Sequence, residues 1–134
     1  MATKKSSDVG IWLERETDHV RKALESASRH FDGNDNLTVN TLEAVYGRES
    51  SFGLPEKMGH RGSANPAGHF QLSPDTAKRY GLTVTKNNDQ RFDIDYASSA
   101  SARYLKDLHT FFSKDTTLIG TTKTIIVGSR GKIS

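Results

Sequence analysis

The chain has 134 residues, of which 34% are hydrophobic and 26% are charged, and it contains six Phe, four Tyr and one Trp. This composition is too apolar and too aromatic for a disordered chain, and the length fits one compact domain. Without cysteine the chain forms no disulfide and no Cys-based zinc site, and its uncharged apolar runs are only a few residues long, so we expect no transmembrane segment. The net charge of +3 permits an acidic partner without requiring one, and we predict no nucleic-acid partner.

Two helices are predicted in the first half of the chain. The first spans residues 7–31, with Ser7 or Asp8 as its cap, because apolar residues recur there at helical spacing: Trp12, Val20, Ala23, Ala27 and Phe31. A cluster of turn-forming residues at 32–36 ends it. The second helix begins at Thr38 and runs through Glu49, before Gly53 and Pro55 break it.

The second half combines a long loop with two more helices. Residues 51–71 are rich in Gly and Pro, and an irregular segment of this length usually has a functional reason. Ser73 and Pro74 mark the start of a short helix, and the longest helix covers residues 94–112. The β-branched residues within 115–134 favour a strand or an edge hairpin.

The predicted fold is therefore mainly α. We expect a helical domain at residues 1–114 and an atypical C-terminal extension at 115–134 that holds at most a minor β element.

Glu49 places a carboxylate on an apolar helix face. Three apolar residues precede it on that face: Leu42, Val45 and Tyr46. Burial raises the pKa of a carboxyl group, as a general acid near neutral pH requires. The alternative is a partly exposed Glu49 that pairs with Arg48 or Arg61, and periodicity leaves both interpretations open.

Four motifs in the same order resemble the soluble lytic transglycosylase (SLT) domain and its goose-type lysozyme relatives. They are Glu-Ser at 49–50, Gly-x-x-Gln at 68–71, Pro-x-Thr-Ala at 74–77 and Tyr-Leu at 104–105. The match covers residues 42–112, and the order and spacing make it more specific than any one motif. The resemblance implies a lysozyme-like helical domain.

The resemblance also implies roles for individual residues. Glu49 would be the catalytic acid, and Gln71 would bind a sugar or its N-acetyl group. Ser50, Ser63 and Tyr104 are further candidates for substrate contacts. For Gln71 the alternative is that its amide caps the helix that follows.

The chain departs from the family pattern at two places. An Ala-Tyr-Asn segment usually follows the Tyr-Leu helix, but no tyrosine occurs after Tyr104, so Tyr46, Tyr96 or Tyr104 would have to replace it or the domain is truncated or inactive. In addition, His69-Phe70 stands where Leu-Met is more usual, which adds a titratable side chain.

The activity that the resemblance implies is cleavage of the β-1,4 bond between N-acetylmuramic acid and N-acetylglucosamine in peptidoglycan glycan strands, with a 1,6-anhydro product. One alternative is hydrolysis, as in a goose-type lysozyme or endolysin, for which Asp93 or Asp95 would supply a second carboxylate. Another is a non-catalytic peptidoglycan-binding module of the same fold.

No cofactor and no metal site is predicted. The five histidines do not show a metal-binding spacing: His19, His30, His60, His69 and His109.

The amino terminus bears on where the protein acts. Residues 1–8 carry two lysines, but no apolar stretch follows them, so we predict no signal peptide. A wall-cleaving enzyme acts in the periplasm or outside the cell. We therefore expect delivery by a phage particle or a secretion apparatus, or a leader peptide that has already been removed.

Overall fold

The computed structural model describes residues 17–33 and 36–114. Within these residues five α-helices follow one another: α1 (Asp18–Ala27), α2 (Val39–Ser50), α3 (Pro55–Met58), α4 (Pro74–Arg79) and α5 (Ile94–Lys114). Two 3-10 turns accompany them, at Ser28–His30 and Gln90–Phe92. The same residues form no β-strand, only two isolated bridges. The mainly α prediction is confirmed, whereas the strand predicted within 115–134 lies outside the described residues.

Local side-chain hydrogen bonds define where the helices begin. Thr38 and Thr41 form a reciprocal capping box at the start of α2. The Ser73 hydroxyl accepts a hydrogen bond from the Thr76 N–H at 3.2 Å to start α4. An Asp93 carboxylate oxygen accepts one from the Asp95 N–H at 3.0 Å to start α5. Because these caps are local, the starts of these three helices agree with the predicted ones.

The first helix is shorter than predicted. Thr17 has an extended backbone, and its hydroxyl accepts a hydrogen bond from the Val20 N–H at 3.2 Å. An N-cap of this kind begins a helix, so the prediction of one uninterrupted helix through residues 7–31 is wrong at Thr17. The proposed cap at Ser7 or Asp8 lies outside the described residues, as does Trp12.

The core lies where α1 and α2 pack on α5. Small residues cover the buried face of α5 and allow a close approach of α1: Ala97, Ser98, Ala100, Ser101 and Ala102. The Ser98 hydroxyl donates to the Ala23 carbonyl at 3.4 Å across this contact. Helix α1 contributes Leu24, and α2 contributes Leu42 and Tyr46.

The far end of α5 lies beyond this core. Phe111 continues the apolar spacing of the helix predicted at 94–112, but 67% of its surface is exposed. Within the described residues the fully buried positions of α5 end at Ala102, so periodicity extends the apolar face further than the packing does. No helix in the described part of the chain combines the length and the apolarity needed to cross a bilayer.

Candidate active site

Glu49 lies in the last turn of α2, where its side chain is half-buried. A tight reversal follows it, because three consecutive residues adopt a left-handed backbone: Ser51 (φ 51°), Phe52 (φ 63°) and Gly53 (φ 78°). A non-glycine residue in this conformation costs about 1–2 kcal/mol. Strain of this kind is typical of functional sites, where the surrounding structure holds it in place.

Ser50 holds this reversal together from inside. It is fully buried, its hydroxyl accepts a hydrogen bond from the Gly53 N–H at 2.9 Å, and it donates to the Tyr46 carbonyl at 3.4 Å. A side chain with no exposed surface and two backbone partners fits a role in positioning the chain after Glu49 better than the substrate contact that we expected.

An aromatic cluster joins the end of α2 to the segment that carries Gln71. The Tyr46 ring stacks on the Phe70 ring, with centroids 5.3 Å apart, and it also contacts the His69 ring at 5.6 Å. The Phe52 ring meets Tyr46 edge-on at 6.0 Å. Tyr46 is buried one turn before Glu49, so the cluster fixes the end of α2 against residues 69–71. Of the three tyrosines considered as replacements, Tyr46 is the one on the same helix as Glu49, whereas Tyr96 and Tyr104 lie on α5.

Gln71 is half-buried and has a left-handed backbone with φ 51°. Its amide nitrogen donates to the carbonyls of Gly68 at 2.9 Å and Met58 at 3.3 Å. The cap of α4 is Ser73, so the alternative that Gln71 caps this helix is wrong. With the amide nitrogen directed to the loop, the amide oxygen is the acceptor that Gln71 can offer to a ligand.

His69 is the titratable member of the aromatic cluster and precedes Gln71 by two residues. Its Nδ1 atom is buried and has no hydrogen-bond partner among the described residues. Burial lowers the pKa of His69 below its ordinary value, although a hydrogen bond with the Phe92 backbone and the charge of Asp93 act in the opposite direction. The imidazole is therefore held in its neutral form at neutral pH.

Ser63 lies on another side of the loop from the aromatic cluster. It is buried, and its hydroxyl accepts a hydrogen bond from the Asn65 N–H at 3.0 Å. Ser63 also lines an open concavity of about 420 Å³ together with residues of α4, and neither Glu49 nor Gln71 belongs to that lining. The described contacts therefore do not bring Ser63 together with Glu49 or Gln71.

Tyr104 lies on α5 and is half-buried. Its ring is 5.7 Å from the ring of Tyr80, and burial raises the pKa of Tyr104, while the charge of Arg79 acts to lower it. Tyr80 in turn donates a hydrogen bond to an Asp107 carboxylate oxygen at 2.6 Å. This position joins the end of α4 to α5, so the candidate substrate contact at Tyr104 stays a prediction.

Sequence reasoning missed a buried ion pair next to the loop, formed by Arg91 and Asp89. In the sequence both residues look like part of the polar link between α4 and α5, and the only signal was their Asp-x-Arg spacing. For metals, the described residues contain no group of three His, Asp or Glu side chains arranged to hold an ion.

The fold and the motifs at this site agree with a comparison with known families. The sequence profile of the transglycosylase SLT domain matches residues 26–122, and the chain belongs to this family. The mainly α, lysozyme-like fold that the resemblance implied is thereby confirmed.

Two curated relatives share part of this region. Both are named membrane-bound lytic murein transglycosylase D, one from Escherichia coli strain K12 and one from Escherichia coli O6:H1. Each is 36% identical to this chain over 52 residues, which is 39% of this chain and 12% of the relative. The chain thus matches only a small part of the length of these relatives. No solved structure matches the chain.

Proposed function

We propose that this chain is a peptidoglycan lytic transglycosylase in which Glu49 acts first as an acid and then as a base. The observation that carries this proposal is the position of Glu49 in a member of the SLT family: half-buried, at the end of a rigid helix, beside a strained reversal. A carboxyl group placed in this way has a fixed direction and limited contact with water, which suits proton transfer to a bound substrate.

The proposed reaction begins with proton transfer from Glu49 to the glycosidic oxygen between N-acetylmuramic acid and N-acetylglucosamine. As the bond breaks, the substrate's own 2-acetamido oxygen stabilises the positive charge at the anomeric carbon. The ionised Glu49 then accepts the proton of the C6 hydroxyl, whose oxygen attacks the anomeric carbon. The product is a 1,6-anhydro sugar, and Glu49 is protonated again.

Gln71 is the proposed substrate ligand. Its amide nitrogen is occupied by two loop carbonyls, so its amide oxygen would accept a hydrogen bond from a sugar hydroxyl or an N-acetyl N–H. The site of action would be the peptidoglycan layer of the cell wall.

Hydrolysis is the competing outcome, and the two candidate carboxylates for it have other partners. Asp93 accepts backbone hydrogen bonds at the start of α5, and Asp95 pairs with His19 at 2.9 Å. These contacts support the transglycosylase route, since a hydrolase uses a second carboxylate to activate water.

The substitution Glu49→Gln tests the proposal against a matched control in the same helix. Loss of a general acid slows catalysis by about 10²–10⁴-fold, so clearing of purified cell walls should fall by that factor. Glu43→Gln is the control, because Glu43 also lies on α2 and pairs with Arg21 away from the reversal. Glu43→Gln should keep the clearing activity. Walls that are cleared equally by the Glu49→Gln protein would refute the role of Glu49, and a wild-type protein that binds walls without clearing them would identify a non-catalytic module.

The product distinguishes the two chemical routes. Mass spectrometry of the released fragments should find them lighter by one water than hydrolysis products. Fragments at the hydrolytic mass would replace the proposed route with that of a lysozyme.

A further inference from the structure

Arg91 and Asp89 form an ion pair in the interior of the protein. Arg91 has 0% and Asp89 has 1% of its surface exposed. The guanidinium binds the carboxylate through two parallel hydrogen bonds, from Nε to Oδ1 at 2.9 Å and from Nη2 to Oδ2 at 2.7 Å. Two charges removed from water are stable only when every polar atom has a partner, so the rest of the guanidinium needs acceptors as well.

The remaining donors of Arg91 all reach backbone carbonyls of the loop. Nη1 donates to the carbonyls of Asn65 at 3.0 Å and Leu72 at 3.1 Å, and Nη2 donates to that of Ser63 at 2.8 Å. A guanidinium has five N–H groups, and together with the two bonds to Asp89 these three bonds use them all. One buried side chain thus fixes three separate points of residues 63–72.

Asp89 fixes a fourth point and keeps its charge. Its Oδ2 accepts a hydrogen bond from the Gly62 N–H at 2.8 Å. Burial acts to raise the pKa of Asp89, but the hydrogen bonds from Arg91 and Gly62 outweigh burial, and the pKa lies below its ordinary value. The carboxylate therefore stays ionised as the partner of the guanidinium.

The backbone of Arg91 holds the same loop from a second direction. Its carbonyl accepts a hydrogen bond from the His69 N–H at 3.0 Å. It also lies directly against Gly68, where a Cβ atom would be only 2.0 Å from the Arg91 carbonyl oxygen. His69 precedes Gln71 by two residues and Leu72 follows it directly, so Arg91 holds the chain on both sides of Gln71.

We propose that Arg91, locked in place by Asp89, is a positioning residue that keeps Gln71 in its left-handed, substrate-binding conformation. The role in catalysis rests on the proposed function, whereas the role in holding the loop does not. Arg91 touches no substrate; it acts through the carbonyls of Ser63, Asn65 and Leu72 and the N–H of His69.

The substitution Arg91→Lys tests the proposal because it keeps the charge and removes the planar fork. An ammonium group has three donors at one point and cannot serve Asp89 and three carbonyls at once. A misplaced substrate ligand costs up to about 10²-fold in rate, so kcat/KM for glycan cleavage should fall by about 10–10²-fold, with most of the loss in KM. Arg103→Lys is the control, since Arg103 also donates to backbone carbonyls, of Tyr80 and Ser99, away from the loop.

A double-mutant cycle separates positioning from general destabilisation. If Arg91 acts through Gln71, Arg91→Lys should change kcat/KM little in a Gln71→Ala background, because the side chain that Arg91 positions is already absent. If Arg91→Lys lowers kcat/KM in the Gln71→Ala background as much as it does in the wild-type background, the proposal is overturned.

Amide hydrogen exchange measured by NMR gives a readout that does not need activity. In the Arg91→Lys protein the His69 and Ala67 N–H groups should exchange faster than in wild type, while that of Leu24 in α1 should not. Unchanged exchange at His69 would overturn the proposal.

If the Arg91→Lys protein fails to fold, amide hydrogen exchange in the wild-type protein tests the proposal. The His69 amide should then be protected as strongly as the buried amides of α5, and exchange at the rate of an open loop would refute the proposal. If the wild-type protein does not cleave walls, the proposed function fails while these exchange results still decide the role of Arg91.

Discussion

The segment beside Glu49 is held by a buried ion pair in addition to the apolar contacts on which the helical scaffold depends. In the scaffold, α1, α2 and α5 bury apolar side chains such as Leu24, Leu42 and Ala97. In residues 51–72, Phe70 and Leu72 belong to the same apolar core, but the segment is also bound by the buried ion pair of Asp89 and Arg91, whose guanidinium binds backbone carbonyls of this segment. Apolar contacts are non-directional, whereas hydrogen bonds require a particular geometry. The scaffold can therefore adjust to small changes, whereas the loop carbonyls that Arg91 binds have to keep their positions.

The largest expected effect comes from breaking the ion pair. Asp89→Asn leaves the Arg91 charge buried without its counter-charge, which should lower the free energy of unfolding by about 3–5 kcal/mol. Urea denaturation measures this loss. Asp95→Asn is the control, because Asp95 pairs with His19 on the exposed surface, where an ion pair contributes no more than about 1 kcal/mol. Equal, small losses in both variants would mean that the loop does not depend on the ion pair.

A cavity in the scaffold should lower the free energy of unfolding but should not change the rate of wall clearing by the folded protein. Leu24 is fully buried in α1, and Leu24→Ala should cost about 2–5 kcal/mol, depending on how far the neighbours close the space. Because the hydrogen bonds of Arg91 and Asp89 hold the loop without using Leu24, the folded fraction should keep the wild-type rate of wall clearing. Thermal unfolding and clearing assays on the same sample test both halves of this prediction. A loss of rate in fully folded Leu24→Ala protein would show that the two regions are coupled.

The smallest effect concerns pH and His69. Burial lowers the pKa of His69 in the folded protein, so the unfolded chain takes up a proton first as the pH falls. The contribution of His69 to the free energy of unfolding is fully present above the histidine pKa of the unfolded chain, near 6.5, and is lost as the pH falls below it. The free energy of unfolding should fall by less than about 1.4 kcal/mol per pH unit for this reason. His69→Leu should remove this slope when unfolding is measured between pH 7 and 5.

His60→Leu is the control for the pH experiment. His60 is exposed on the same loop, so its replacement should leave the slope unchanged. A slope that survives His69→Leu would assign the pH dependence to other groups.

Sequence reasoning predicted the parts of this molecule that depend on local chemistry. The bounds of α2 and α5 follow from caps at Thr38 and Asp93 and from apolar residues at helical spacing, which act over a few residues. The end of α2 was predicted just after Glu49 from Gly53 and Pro55, and the helix ends at Ser50. The prediction of one uninterrupted first helix was wrong because apolar spacing on both sides of Thr17 hid a cap that begins a helix there.

The polar interior of the loop could not be predicted in this way. Arginine is almost always exposed, and the carbonyls that the Arg91 side chain binds lie 19 to 28 residues away in the chain. A single sequence shows no signal for hydrogen bonds to carbonyls at that distance, since every residue carries a carbonyl. The same limit applies to Ser50, whose partners are backbone atoms of Tyr46 and Gly53.

The five hydrogen bonds of the Arg91 guanidinium also determine where residues can be inserted into or deleted from the chain. One residue added or removed between Ser63 and Leu72 would move a carbonyl out of reach of Arg91, so insertions and deletions there should not be tolerated. The turn at 85–88 is exposed and is closed by hydrogen bonds between Thr85 and Asn88, and its contact with the loop is the Lys86 backbone against Gly62, so the place to insert a tag or a second domain lies after Lys86. An engineered fusion at Asn87 should therefore leave residues 63–72 in register.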